Sequence, residues 1–224
     1  DSKDSYGLAF TIFALSHAAR VTKDKRYRDA ALETWAQMKE HLREENGLFR
    51  PKMDRSYTRV TDQNSQNPMM HLFEALLALH DATGSKEVLR DAQALADAIF
   101  TRLFDAREGR LPEYYDRDWK PAPPEQRGYL ELAHQFEWAF LLSHAVEKGF
   151  PKRYLAIGDR LLNYGMKAGY DTEEGGVFSR GDYQSNAVRG PKGWWEQCES
   201  LWTRMHYAAV RGRTKADAVS KLLA

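Results

Sequence analysis

Residues 66–75 read Gln66-Asn67-Pro68-Met69-Met70-His71-Leu72-Phe73-Glu74-Ala75, and their His-x-x-Glu returns 63 residues later as His134-Gln135-Phe136-Glu137-Trp138. Landmarks chosen without reference to the histidines keep the same step. The alanines that end strongly apolar helical runs, Ala18, Ala82, Ala145 and Ala209, stand 64, 63 and 64 residues apart. Turns of the type Asn46-Gly47-Leu48-Phe49, Glu108-Gly109-Arg110-Leu111 and Glu174-Gly175-Gly176-Val177-Phe178 recur at 62 and 67. A fixed period of this length marks repeat architecture. Measured from the landmark alanines, His71 and His134 each lie 11 residues before the end of their run, and Glu74 and Glu137 each lie 8 before it. A spacing of three puts His and Glu on one helical face. Successive repeats are therefore expected to present both pairs to the same side of whatever they enclose.

Apolar residues at helical spacing cover about 6–19, 27–42, 68–82, 88–103, 130–146, 154–166, 194–210 and, briefly, 216–223. This predicts eight helices and no strand. Asp4 or Ser5 suits the first N-cap, and Asn67 followed by Pro68 suits the start of the third helix. Gly84, Gly149 and Gly212 follow helix ends. The odd-numbered helices are the more apolar, whereas the even ones alternate charge with their apolar stripe, as in KRYRDAALETWAQMKEHL at 25–42. The odd set reads as inner and the even set as outer. The expected fold is all-α, an α/α toroid of the (α/α)6 barrel type of which about four hairpins are present, with 1–224 as a single partial barrel domain. Asp1 leads almost directly into an apolar run, so an incomplete chain is expected.

Composition narrows the partners. Hydrophobic residues make up 42% of 224, and the formal net charge is +1, which gives no electrostatic argument for nucleic acid. Cys198 is the only cysteine, so no intramolecular disulfide can form. It reads as a buried small apolar residue in a reducing, cytoplasmic setting. No run approaches the roughly 18 apolar residues needed to cross a bilayer, and no membrane partner is expected. A homodimer is left open as the assembly.

The ordered motifs QNPMMHLFEA (66–75), LPEYYDRDWKP (111–121), AHQFEWAFLL (133–142) and WWEQCESL (194–201), after an opening Asp4-Ser5-Tyr6-Gly7-Leu8-Ala9-Phe10, resemble the N-acylglucosamine 2-epimerase superfamily. The resemblance covers essentially the whole chain. It implies an (α/α)6 barrel with a sugar site at its centre and no metal or nicotinamide cofactor. By matching position, it implies that His134 is one of two catalytic histidines, moving a proton in the C1–C2 region of a sugar, with Glu137 holding the imidazole or the sugar. Asn67, His71, Glu74 and Tyr6 match pocket residues that touch substrate, and Trp194 or Trp195 stands where the family places a tryptophan. Two features depart from the pattern. Ala133 replaces the usual glycine before the histidine, and neither the second catalytic histidine nor the family's substrate-binding arginine has a counterpart here.

The chemistry explains the residue types. Isomerisation and C2 epimerisation both remove the proton next to a carbonyl, which calls for a base that titrates near neutrality, and histidine does so at about 6.5. A neighbouring carboxylate orients the ring and favours its protonated form. Arg127 and Arg189, in rim loops, are candidates for stabilising an enediol oxygen, although a solvated loop charge explains them first. The expected activity is metal-independent aldose–ketose isomerisation of a mannose-type hexose. The alternatives are C2 epimerisation of an N-acylglucosamine or a β-1,4 disaccharide, a glycoside-processing hydrolase with paired acids such as Glu74 and Glu137, or a non-catalytic sugar-binding fragment. Glu131-x-x-His134 has the form of a di-iron ligand pair, but Pro68 stands where its second copy would need Glu. His17, His80, His144 and His206 read as structural, satisfied by backbone carbonyls, and His41 as a surface or capping residue. Trp138, Phe136 and Phe140 read as core. Tyr114, Tyr115, Trp119 and Tyr183, in polar loops, are candidates for a sugar platform, and Asp105, Asp116 and Asp171 read as turn residues.

Overall fold

Each inner helix begins where a short antiparallel ladder ties the chain just before it to the segment that follows its outer partner. In a computed structural model, which describes residues 2–126, 129–181 and 190–211, this arrangement occurs three times. The helices are α1 (Ser5–Thr22), α2 (Lys25–His41), α3 (Asn67–Thr83), α4 (Lys86–Arg102), α5 (Leu132–Glu147), α6 (Arg153–Gly169) and α7 (Trp194–Val210). The strands are β1 (Ser2–Asp4), β2 (Lys52–Asp54), β3 (Asn64–Ser65), β4 (Tyr114–Tyr115), β5 (Leu130–Glu131) and β6 (Arg180–Gly181). They pair as β1 with β2, β3 with β4 and β5 with β6, all antiparallel. Strands of two or three residues are too short to show an alternating pattern, so the expectation of no strand is corrected at these ladders. The region expected as an eighth helix lies outside the described residues, as do Gly212, Arg127, Arg189 and Tyr183.

The turn series is structural too. Bridges Arg43↔Phe49, Asp105↔Arg110 and Tyr170↔Val177 close the same reverse turn after α2, α4 and α6. Gly47 and Gly109 take φ of +87° and +80° there, a region closed to most L side chains. Asp105 and Asp171 accept backbone N–H bonds inside their turns, as Asp116 does in the loop after β4.

The described residues form two compact units: 1–103 with 114–120, and 104–113 with 121–224. In the first, α1 packs on α2 and α3, and α3 on α4. Ile12, Met38, Phe49, Leu72, Phe73 and Leu76 are sealed from solvent, each side chain contributing roughly 1.5–3 kcal/mol of burial. Trp35 donates to Asp91 Oδ2 at 2.9 Å, which fixes α2 against α4. Asp4 is the N-cap of α1, accepting from the Tyr6 N–H at 3.0 Å. Asn67 is the first residue of α3 rather than its cap, which is Gln66 without a capping side chain.

In the second unit α5 packs on α6 and α7. Phe136, Trp138, Leu142, Tyr154 and Leu161 are fully buried. Thr203 and Tyr207 of α7 donate to the carbonyls of Phe136 and Ala139 at 2.9 and 3.0 Å. The packing of α6 on α5 needs small residues on α6: a Cβ at Gly165 would meet the Phe136 ring at 2.8 Å. Cys198 is exposed on α7, correcting the expectation that it is buried. Among the described residues no helix is long and apolar enough to cross a membrane.

Candidate functional site

In the first unit the start of α3 faces the start of α1. The His71 ring lies edge-on to Tyr6 with centroids 5.1 Å apart and tilted against Phe10 at 4.7 Å. His71 Nδ1 is 3.3 Å from Glu74 Oε2, the contact expected from a three-residue spacing on a helix. Tyr6 is 42% exposed, so part of its side chain stays open beside His71. Asn67 stands one turn before His71, and its Oδ1 is buried with no hydrogen-bond partner among the described residues. Tyr6, Asn67, His71 and Glu74 thus share one end of the α1–α3 pair, and Phe10, to which the sequence reading gave no role, joins them.

In the second unit His134 lies in the first turn of α5, 5% exposed. Its ring is bonded to the carboxylate of Glu113: Nδ1 to Oε2 is 2.7 Å, and both side chains are buried. The reason lies in Gln135. Its side chain is fully buried and clasps the backbone of Leu111 at both ends, Oε1 accepting from N–H and Nε2 donating to C=O, each at 2.9 Å. This pins the loop after α4 to α5, and two residues later Glu113 falls opposite His134. Gln197 of α7 repeats the clasp on Val177 at 2.8 and 2.7 Å.

Burial pulls the His134 imidazole down, but the Glu113 charge and hydrogen bond outweigh it. With Glu137 and Glu131 adding to them, the pKa stands raised at about 9. The Glu131 carboxyl is pushed up to about 7, chiefly by burial, with Glu113 and Glu196 adding and His134 and Arg180 opposing. Glu196, also buried, has an Oε2 with no hydrogen-bond partner among the described residues. Perturbed groups gathered around one buried histidine are a signature of function.

Trp195 packs edge-on against the His134 ring, centroids 5.3 Å apart, whereas Trp194 is 79% exposed. Of the two tryptophans the structure brings Trp195 to His134. The platform candidates change character: Tyr115 is sealed and Trp119 8% exposed, its Nε1 donating to Glu44 at 2.8 Å, so packing accounts for both. Among the other histidines, His80 bonds the Ser85 carbonyl as expected. His144, however, pairs with Glu147 and His206 with Ser143, while His17 packs edge-on against Phe13 and His41 stacks on Tyr57.

Residues 1–223 match the family model described as N-acylglucosamine 2-epimerase (GlcNAc 2-epimerase). The mannose-6-phosphate isomerase of Rhizobium meliloti is 33% identical over 147 residues, covering 64% of this chain and 38% of that protein. The D-mannose isomerase of Marinomonas mediterranea is 26% identical over 217 residues, covering 90% and 54%. A crystal structure of a D-mannose isomerase superposes with a TM-score of 0.88 at 25% identity, over 99% of this chain and 57% of that one. The chain spans about half the length, or less, of the curated relatives it matches. The fold is thus all-α, of the α/α toroid class. With its matching family model extending over nearly every residue, the chain belongs to the N-acylglucosamine 2-epimerase family.

Proposed function

We propose that this chain carries part of the catalytic apparatus of a metal-independent sugar isomerase, most simply one that interconverts a mannose-type aldose with its ketose through an enediol. The observation that carries the reading is His134: a buried imidazole at the start of an inner helix, ringed by carboxylates, in a chain of this family. In the reaction the proton on C2 of the open-chain sugar is removed, and a proton is delivered to C1. His134 is the group that transfers it, and Glu137 supports the ring's positive form through its charge. Trp195 gives the sugar an apolar wall beside the imidazole. Tyr6, Asn67, His71 and Glu74 bind sugar hydroxyls, and a hydroxyl donor would satisfy the buried Asn67 Oδ1. Trp194 is retained as a weaker candidate for substrate contact, at the rim.

The sugar substrate follows from the relatives' names, two of them mannose or mannose-phosphate isomerases. C2 epimerisation of an N-acylglucosamine or a β-1,4 disaccharide needs the same proton step and is the second reading, favoured by the family model. We infer also that residues 1–224 act as one domain and do so in the cytoplasm. These last readings rest on the repeat pattern and on the single cysteine. The test is to incubate the natural polypeptide containing this chain with mannose, mannose 6-phosphate, N-acetylmannosamine or a β-1,4 disaccharide in deuterated water. Carbon-bound deuterium gained at C1 or C2 of one sugar, seen by NMR, is expected. No exchange with any of them would overturn the proposal.

A further inference from the structure

We propose that Glu113 is the positioning residue of the site: it fixes His134 with its proton on Nδ1, so that every proton exchanged with substrate passes through Nε2. The inference rests on the reading of His134 as the proton-transferring group, but its test does not need a sugar.

An ionised carboxylate can only accept hydrogen bonds. The 2.7 Å contact between Glu113 Oε2 and His134 Nδ1 therefore requires the hydrogen on Nδ1. When the imidazolium gives up a proton, the Nε2–H bond breaks, a bond to the accepting atom forms, and the electron pair stays on Nε2. Nδ1–H remains on Glu113 throughout. When the ring takes a proton, the same steps run in reverse. The carboxylate thus selects one nitrogen and stabilises the positive charge that arises on it, as a second carboxylate commonly does for catalytic or metal-bound histidines.

The arrangement is built rather than incidental. Glu113 is 3% exposed and His134 5%, so the pair is shielded from the water that weakens surface ion pairs. Its backbone N–H donates to the Tyr129 carbonyl at 3.3 Å, and the Gln135 clasp holds Leu111 two residues away. The His134 contact and the Gln135 clasp thus tie this segment to α5, and the Tyr129 bond ties it to the chain before β5. A carboxylate placed this way remains in register with the imidazole through a catalytic cycle, which a carboxylate on a free loop would not.

The other charged groups about the ring are Glu137 on α5 and Glu131 on β5, with Arg180 of β6 and Glu196 of α7 acting on Glu131. On the helices packed against α5, Tyr207 is buried, and that burial pushes its phenol well above the ordinary value, while Arg204 is half-buried. Of all these, Glu113 is the one shown hydrogen-bonded to the ring. Glu137 and Glu131 contribute charge, and charge alone cannot choose between two nitrogens.

The experiment is a pH titration of the imidazole nitrogens by 1H–15N correlation NMR in the natural polypeptide, labelled with 15N-histidine. His134 is assigned from the signals lost in His134→Gln. The expected result is a midpoint well above 7, with Nδ1 still protonated in the neutral form. Glu113→Gln, which keeps the shape but not the charge, should lower the midpoint by more than about one pH unit, given the ordinary histidine value of about 6.5. Glu113→Asp, which keeps the charge one methylene further back, should lower it less. A neutral ring carrying its proton on Nε2, or a midpoint that Glu113→Gln leaves unmoved, overturns the inference. Should the Gln variant fail to fold, the tautomer in the unaltered protein decides. Because no sugar is present, loss of the isomerase reading leaves this result standing, and the reverse holds too.

Discussion

Replacing Gln135 with leucine tests the link between fold and site. The side chains are close in volume, so the cost comes from hydrogen bonds. Oε1 leaves the Leu111 N–H without its acceptor, and the missing Nε2 leaves the Leu111 carbonyl without its donor, both at 2.9 Å in the wild type. A third, longer bond to the Glu131 carbonyl at 3.2 Å goes as well. Each buried backbone group left unsatisfied costs about 1–3 kcal/mol. The two principal bonds alone thus amount to about 2–6 kcal/mol, offset in part because leucine need not be desolvated as an amide. Against a typical domain stability of about 5–15 kcal/mol, that is a large fraction. Gln197→Leu is the internal control. It breaks the repeated clasp on the buried Val177, but Gln197 itself is only part-buried and lies away from Glu113, so the change should cost less. Urea unfolding followed by circular dichroism measures both. A loss below about 1 kcal/mol for Gln135→Leu, or a larger loss for Gln197→Leu, would refute the reasoning that the clasp holds the Glu113 loop.

Stability should also fall with rising pH. The His134 pKa is raised from 6.5 to about 9, so its contribution is fully present below about 6.5 and lost as pH passes about 9. The loss is about 3–4 kcal/mol at 1.36 kcal/mol per pH unit. Glu131, raised from 4.5 to about 7, acts in the same direction over a lower window. A urea midpoint that holds steady or rises between pH 7 and 9.5 would contradict this. Gly165→Ala forces a methyl to within 2.8 Å of the Phe136 ring and should cost about 1–3 kcal/mol; an unchanged melting temperature would show that α6 can simply shift. Trp119→Phe removes the donor to Glu44 at 2.8 Å and should cost about 1.5–3 kcal/mol, the range for a hydrogen bond to a charged group, with neutrality as the contrary result.

The helices were legible because their apolar residues recur at 3.6 and because the repeat predicts each one from its neighbours. The observed α7, Trp194–Val210, coincides with the expected span, and α3 and α5 differ from theirs by a residue or two. His134 was legible for the same reason, since its register with His71 needs no knowledge of loops. Glu113 was not. It meets His134 across 21 residues of sequence, by way of a loop whose path depends on Gln135, and helical spacing reports only neighbours three and four apart. The signal that could have found it was the pair of facts that the loop at 111–121 was aromatic and charged, and that a glutamine follows the histidine. The ladders were invisible because two residues carry no period. Tyr115 and Trp119 were misjudged because a polar neighbourhood in sequence says little about burial when the chain turns back on itself.

The role of His134 in proton transfer is read from one rate. In the natural polypeptide, supplied with the sugar that exchanges best in deuterated water, proton exchange at C2 should fall by about 10²–10⁴-fold in His134→Gln, the range for loss of a general acid–base group. Circular dichroism should remain that of the wild type. Undiminished exchange in a folded His134→Gln protein would place the proton transfer elsewhere and contradict the assignment.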